Sequence, residues 1–212
     1  IGTHGCLGRD VVRRRPARDI DRRHHTRGLE IARDDHGVRR RRRGTIDVIA
    51  ATVDGVRVIG AYFPNGQAPD SDKFAYKMLW LNALREWLRE ALAAHPKLVL
   101  LGDCNITPDD RDVYDPIGLA GQIHCTVEER DQFRGLVGLG LHDAYRMFEQ
   151  PLKCWSWWDY RNLAFRKNQG LRIDIILVSD ALKASVQSCV IDKLPRKNER
   201  PSDHAPVLVE LG

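Results

Sequence analysis

From Ile46 onward, apolar and polar residues fall into patterns with a clear period. IDVIAATV (46–53) is β-branched and apolar, and VRVIGAYF (56–63) repeats that character. Asp54-Gly55 stands between them, a dipeptide suited to the positive φ angles of a tight hairpin. Pro64-Asn65-Gly66 closes the second run. Over Lys73 to Ala94, Phe74, Met78, Leu81, Leu84, Trp87, Leu88 and Leu92 recur at helical spacing. That spacing predicts an amphipathic helix, capped by Ser71 or Asp72 and stopped at His95-Pro96. KLVLLGD (97–103) reads as a buried strand. Glu128 to Val137 predicts a helix with Phe133 and Leu136 inward. Leu141 to Phe148 reads as a short helix or turn, and Trp155 to Trp158 as a short strand or loop. GLRIDIILVS (170–179), Ser185 to Ile191 and Val207 to Leu211 predict three more strands. Hairpins alternating with helices point to a two-sheet α/β sandwich with flanking helices. No internal repeat is seen.

Residues 1–44 break this order. Their large apolar residues are few and keep no period, and Arg39 to Arg43 is an unbroken basic block. The segment holds 14 Arg, no Lys and 6 acids, whereas residues 45–212 hold 20 Lys plus Arg against 23 acids. The basic balance therefore belongs to the first fifth of the chain, and charge alone does not imply a nucleic-acid partner. The chain begins with Ile rather than Met, and its composition changes near Thr45. Three readings fit residues 1–44, in order of preference: sequence that is not native to the reading frame, a disordered tail, or a basic arm. The expected division is 1–44 and a domain over 45–212. Cys6, Cys104, Cys125, Cys154 and Cys189 are odd in number and widely spaced, which suits a reducing, cytoplasmic setting. No apolar run reaches the ~18 residues of a membrane span.

Three polar stretches interrupt the apolar runs near the ends of predicted strands. In LLGDCN, Asp103 and Asn105 share one side if the backbone stays extended, and a carboxylate there can serve as base to an oriented water. A simple turn fits the same residues. In GLRIDIIL, Asp174 lies inside an apolar strand, where a lone carboxylate needs a partner. His204 is the favoured partner and Arg172 the alternative. Asp203 and His204 lie side by side in RPSDHAPV, bracketed by Pro201 and Pro206. A carboxylate beside an imidazole suits metal binding or proton transfer near neutral pH. In SWWDYRNLAFRKNQG, aromatic residues interleave with Arg161, Arg166 and Lys167, which suits stacking on bases and holding phosphates. Trp155 and Trp157 read as core there, and Arg161, Phe165 and Asn168 as the better functional candidates.

Five stretches taken together, AYFPNGQ (61–67), LGDCNITP (101–108), SWWDYR (156–161), NQGLRIDIILVS (168–179) and PSDHAPV (201–207), resemble the exonuclease III branch of the endonuclease/exonuclease/phosphatase superfamily, relatives of DNase I. They occur in the family's order over about four fifths of the chain. The resemblance implies a four-layered sandwich and Mg²⁺- or Mn²⁺-dependent phosphodiester hydrolysis in DNA repair. The implied activities are 3′→5′ exonuclease action, incision at abasic sites and clearing of blocked 3′ ends. By motif, Tyr62 would contact the scissile phosphate, Asp103 would activate water or donate a proton, and Asn105 would orient it. Asp174 would orient His204, which would stabilise charge on the phosphoryl oxygens. Metal contacts would come from Asp103, Asn105, Asp203 and His204. Trp157 and Phe165 would lie near an abasic pocket, with Arg161 and Asn168 also on the DNA. The implied partner is duplex DNA with abasic sites or 3′ ends, bound by a monomer without a membrane.

The family pattern opens with a WN strand and a strand ending in QE, whose Glu is a metal ligand. Neither motif is present; the Glu nearest in position is Glu30, in LEIAR. The expectation is a sandwich incomplete on its N-terminal side, weakened metal binding and slow hydrolysis. The alternative is a catalytically inactive remnant, or a DNA-binding module that uses the Arg-rich arm.

Overall fold

The structure is a computed structural model, and it describes residues 48–212. The Arg-rich segment, Glu30 and the first two residues of the predicted opening strand lie outside the described residues. β1 (Val48–Val53) and β2 (Val56–Ala61) form the predicted hairpin. Asp54 and Gly55 turn it with φ of 48° and 81°, the paired positive values that Asp-Gly accommodates. α1 (Asp72–Ala94) follows, with Ser71 as its N-cap accepting from the Phe74 N–H. It carries the chain back to β3 (Leu98–Asp103), parallel to β2.

α2 (Val127–Val137) opens with a capping box in which Thr126 and Glu129 satisfy each other's backbone N–H groups. β4 (Leu141–Asp143) and a following 3₁₀ turn (Ala144–Met147) replace the helix or turn expected over 141–148. Pairing decides this locally, because Leu141, His142 and Asp143 add to the edge of β5 (Asp174–Ser179). β5 starts four residues later than the apolar run suggests. Before it, Leu171 bridges to Val113 and Trp157, and Arg172 is buried against the carboxylates of Asp112 and Asp143. The order across the five-stranded sheet is β1-β2-β3-β5-β4. β6 (Val186–Ile191) and β7 (Val207–Leu211) make a second, two-stranded antiparallel sheet. Among the described residues no helix is long and apolar enough to cross a membrane.

The two faces of the large sheet are covered differently. Ile59, Leu98, Leu100, Ile175 and Leu177 pack under α1 and α2 against Trp80, Leu84, Leu88 and Phe133. Val99, Ile176 and Val178 face the other way, toward Cys189 and the half-buried Val207, Val209 and Leu211 of the small sheet. The alternation along β3 and β5 follows from the period of two. On α1, Lys77 and Trp80 are buried along with the predicted apolar stripe, while Met78 and Leu92 are only half-buried.

Candidate active site

β3 and β5 run antiparallel with Asp103 opposite Asp174, so two carboxylates meet at one end of the sheet. Gly102 permits the approach. Its φ is 144°, and a Cβ there would sit 1.9 Å from the Ala61 carbonyl oxygen. The chain leaves β3 through Cys104, whose N–H donates to the Ile173 carbonyl at 2.8 Å. Asn105 then turns in the left-handed region, with φ of 48°.

That turn folds Asn105 back onto Asp103. The Asn105 N–H donates to Asp103 Oδ1 at 2.9 Å, and its Nδ2 donates to Oδ2 at 3.2 Å and to the Phe63 carbonyl at 3.0 Å. Its Oδ1 accepts from Asn65 Nδ2 at 3.0 Å. Asn105 is 3% exposed, so its amide is committed within the protein. Burial, together with the neighbouring Asp174 carboxylate, pushes the Asp103 carboxyl up to about 6.

Asp174 opens β5 of the large sheet, and His204 lies in the loop that leads into β7 of the small one. His204 Nδ1 donates to the Asp174 carboxylate at 2.9 and 3.1 Å. Burial pulls the imidazole down, but the bond to Asp174 and the charge of that carboxylate outweigh it and hold His204 above its usual value. Arg172, the alternative partner, is drawn instead to Asp112 and Asp143. Residues 156–158 tie the two sides together through backbone. Ser156 Oγ accepts from the Ile173 and Asp174 N–H groups at 3.1 and 3.0 Å. Ser156 O accepts from Ala205 N at 2.7 Å, and Trp158 N donates to Asp203 O at 3.0 Å. This role of Ser156 is not readable from a lone serine among tryptophans.

The remaining candidates lie around this centre. Asp203 accepts from the half-buried Trp157 indole at 3.0 Å. Trp158, rather than Trp157, is the fully buried core tryptophan, a correction to the expected pair of Trp155 and Trp157. Gly170 lets the chain pass against Trp155 and Trp158, where a Cβ would come within 2.6 Å of either. Phe165 meets the Trp158 ring edge-on at 5.0 Å. Asn168 accepts from the Trp158 indole at 3.3 Å and donates to the Lys153 carbonyl at 3.0 Å, so it braces the loop. Arg161 is exposed and paired with Asp159. Tyr62 is 46% exposed just past β2, one residue before Phe63, whose N–H donates to the Asp103 carbonyl. A cleft of about 430 Å³ opens between the sheets, lined by Gly102, Asp174, Pro195, Ser202, His204 and Val207 among others.

Among the described residues no three His, Cys, Asp or Glu side chains gather as a ready metal cage. The donors that do converge are hard oxygens beside an excess of negative charge. Mg²⁺ suits such a place, since it commonly uses one or two carboxylates and completes its shell with water and substrate phosphate.

The model of the Endonuclease/Exonuclease/phosphatase family matches residues 11–204, a span that includes most of the Arg-rich segment. Exodeoxyribonuclease III of Haemophilus influenzae is 34% identical over 164 residues, covering 73% of this chain and 61% of that protein. A Neisseria 3′ phosphatase solved with product DNA hairpin is 49% identical with TM-score 0.76, covering 78% of this chain and 64% of the other. An AP endonuclease from Archaeoglobus fulgidus is 31% identical with TM-score 0.73, covering 77% and 64%. The chain thus spans about three fifths of the length of these relatives.

Proposed function

The chain belongs to the endonuclease/exonuclease/phosphatase family, and we propose that it hydrolyses phosphate esters at the 3′ ends of duplex DNA with a divalent metal. The observation that carries this reading is the convergence of Asp103, Asp174 and His204 at one mouth. Burial and the Asp174 carboxylate raise the Asp103 carboxyl to about 6, and two N–H donors of Asn105 hold it, so it suits a base that takes the proton of an attacking water. His204, whose proton the Asp174 carboxylate favours against burial, suits stabilisation of negative charge on the phosphoryl oxygens. Mg²⁺ or Mn²⁺ held at Asp103, with Asp203 as the other candidate contact, would supply charge neutralisation there, since a protonated His204 has no lone pair to give a metal and the Asn105 amide is already bonded. Asn105, saturated inside the protein, serves chiefly to aim Asp103.

Tyr62, exposed just past β2, is the candidate contact to the phosphate. Trp157, Arg161 and Phe165 are the candidate contacts to DNA, with Asn168 as a brace of their loop. Cys104, Cys125, Cys154 and Cys189 are unpaired thiols, which fits a reducing, cytoplasmic setting.

The preference for 3′ ends over abasic sites rests on identity, since the Neisseria 3′ phosphatase is 49% identical and the Archaeoglobus AP endonuclease 31%. Incision at abasic sites is the second reading, favoured by that latter likeness. The test offers the chain two duplexes, one with a 3′ phosphate and one with an internal abasic site. Each is run with Mg²⁺, with Mn²⁺ and with chelator, and Asp103→Asn serves as background. Metal-dependent release from the 3′ end, lost in Asp103→Asn, is expected. Faster cutting at the abasic site would favour the second reading, and no cleavage of either duplex with either metal would overturn both.

A further inference from the structure

We propose that Lys77 and Glu129, a buried ion pair outside the reacting groups, are positioning residues that fix the turn at Asn105 and through it the aim of Asp103. Lys77 comes from α1 and Glu129 from α2, and both side chains are fully buried. The Lys77 ammonium has three donors, and each is used. It donates to Glu129 Oε1 at 2.5 Å, to the Asn105 carbonyl at 2.7 Å and to the Asn65 carbonyl at 3.2 Å. The other oxygen of Glu129 accepts from Thr126 N at 3.1 Å and from its hydroxyl at 2.9 Å.

A satisfied buried ion pair contributes little net stability, because an apolar pair of like volume does as well. What an apolar pair does not do is aim an ammonium at two carbonyls. Those carbonyls belong to Asn65 and Asn105, whose side-chain amides are bonded to each other. The left-handed turn swings the Asn105 carbonyl inward, where it needs a donor. Lys77 supplies one, and His124 Nδ1 supplies another at 2.7 Å. With the carbonyl pinned, the N–H and Nδ2 of the same residue are left pointing at Asp103. The path is continuous from Glu129 to Lys77 to Asn105 to Asp103.

This inference rests on Asp103 being the reacting carboxylate. The test replaces the pair together, as Lys77→Met/Glu129→Leu, so that no charge is left buried alone. On a duplex with a 3′ phosphate, kcat should fall on the order of 10- to 100-fold, as for a small misplacement of a catalytic group, with KM within about 3-fold. In an Asn105→Ala background the same replacement should cost at most about 2-fold, because its route is already cut. A readout independent of activity is the Asn105 side-chain NH₂ pair in ¹H–¹⁵N spectra, which should shift or broaden in the variant. Should the double variant not fold, Lys77→Arg takes its place with the same expectations, since a planar guanidinium does not reproduce the three-way ammonium contact. Unchanged kcat with unshifted Asn105 signals would overturn the proposal. If the unmodified protein hydrolyses nothing, the hydrolase reading fails by itself, and the Asn105 signals still decide the positioning role.

Discussion

The two faces of the five-stranded sheet are built from alternate residues of the same strands, yet they carry different loads. Under α1 and α2, Leu98 and Leu100 are 0% and 1% exposed among tryptophans and leucines. On the other face Val99 and Val178 are as deeply buried, but Leu101, Val56 and Val207 are only half-buried under two strands, and the cleft lies there. The polar groups follow the cover. On the helical face Lys77, Glu129, Asn105 and His124 are drawn in and bonded to one another. On the thin face Asp174 and His204 remain 19% and 31% exposed and pair at the opening. Asp103 itself lies opposite Asp174 on the thin face, while the Asn105 turn that holds it is anchored from the dense face. The candidate site therefore opens on the thin face and is braced from the dense one.

Substitutions at the centre carry the largest expected effect. Asp103→Asn and His204→Ala should each lower the single-turnover rate on a 3′-phosphate duplex by about 10²- to 10⁴-fold. A loss confined to one of them would break the idea of a shared site. Next in size is stability. Leu100→Ala should cost about 3–4 kcal/mol in chemical denaturation, from lost transfer energy and a cavity under α1. Leu101→Ala, one residue on and facing the small sheet, should cost about 1–2 kcal/mol. Equal costs would erase the asymmetry.

The smallest effect serves as a control on neither face. Asp109 caps the 3₁₀ turn at Asp110–Asp112 and pairs with Arg111. Burial pushes its carboxyl up, but the bonds from Arg111 outweigh this and hold it below the usual value. A carboxyl lowered by folding stabilises above its unfolded value of about 3.9, and that contribution fades as pH falls through the lower folded value. Asp109→Asn should therefore cost under about 1 kcal/mol at pH 7, with the difference shrinking toward pH 3. A cost that grew in acid would reverse the sign of the linkage.

Much of this was legible in order along the chain. The hairpin at Asp54-Gly55, the helix from Ser71 and the strands ending at Asp103 and Leu211 are local patterns, and local patterns carry period and cap. The pairing of Asp174 with His204 was legible because a carboxylate in an apolar strand demands a partner. What stayed hidden was set by partners far along the chain. β4 exists because Leu141 to Asp143 find the edge of β5, which the run itself does not announce. Trp158 is core, packed where Gly170 passes, and Trp157 is only half-buried, a choice made by a segment a dozen residues on. Lys77 and Glu129 meet across 52 residues, although each left a trace. Lys77 falls on the stripe of Phe74, Leu81 and Leu84, and Thr126-x-x-Glu129 has the form of a capping box.

The sharing of one site by Asp103, Asp174 and His204 is tested most directly by a ¹³C NMR titration of the Asp103 side-chain carboxyl in the metal-free protein. Its midpoint should lie near 6, raised by burial and by the Asp174 carboxylate. Asp174→Asn should lower that midpoint by removing a like charge, and His204→Ala should raise it by removing a cation. A midpoint at the ordinary value near 3.9, unmoved by either substitution, would mean that Asp103, Asp174 and His204 do not share one electrostatic site.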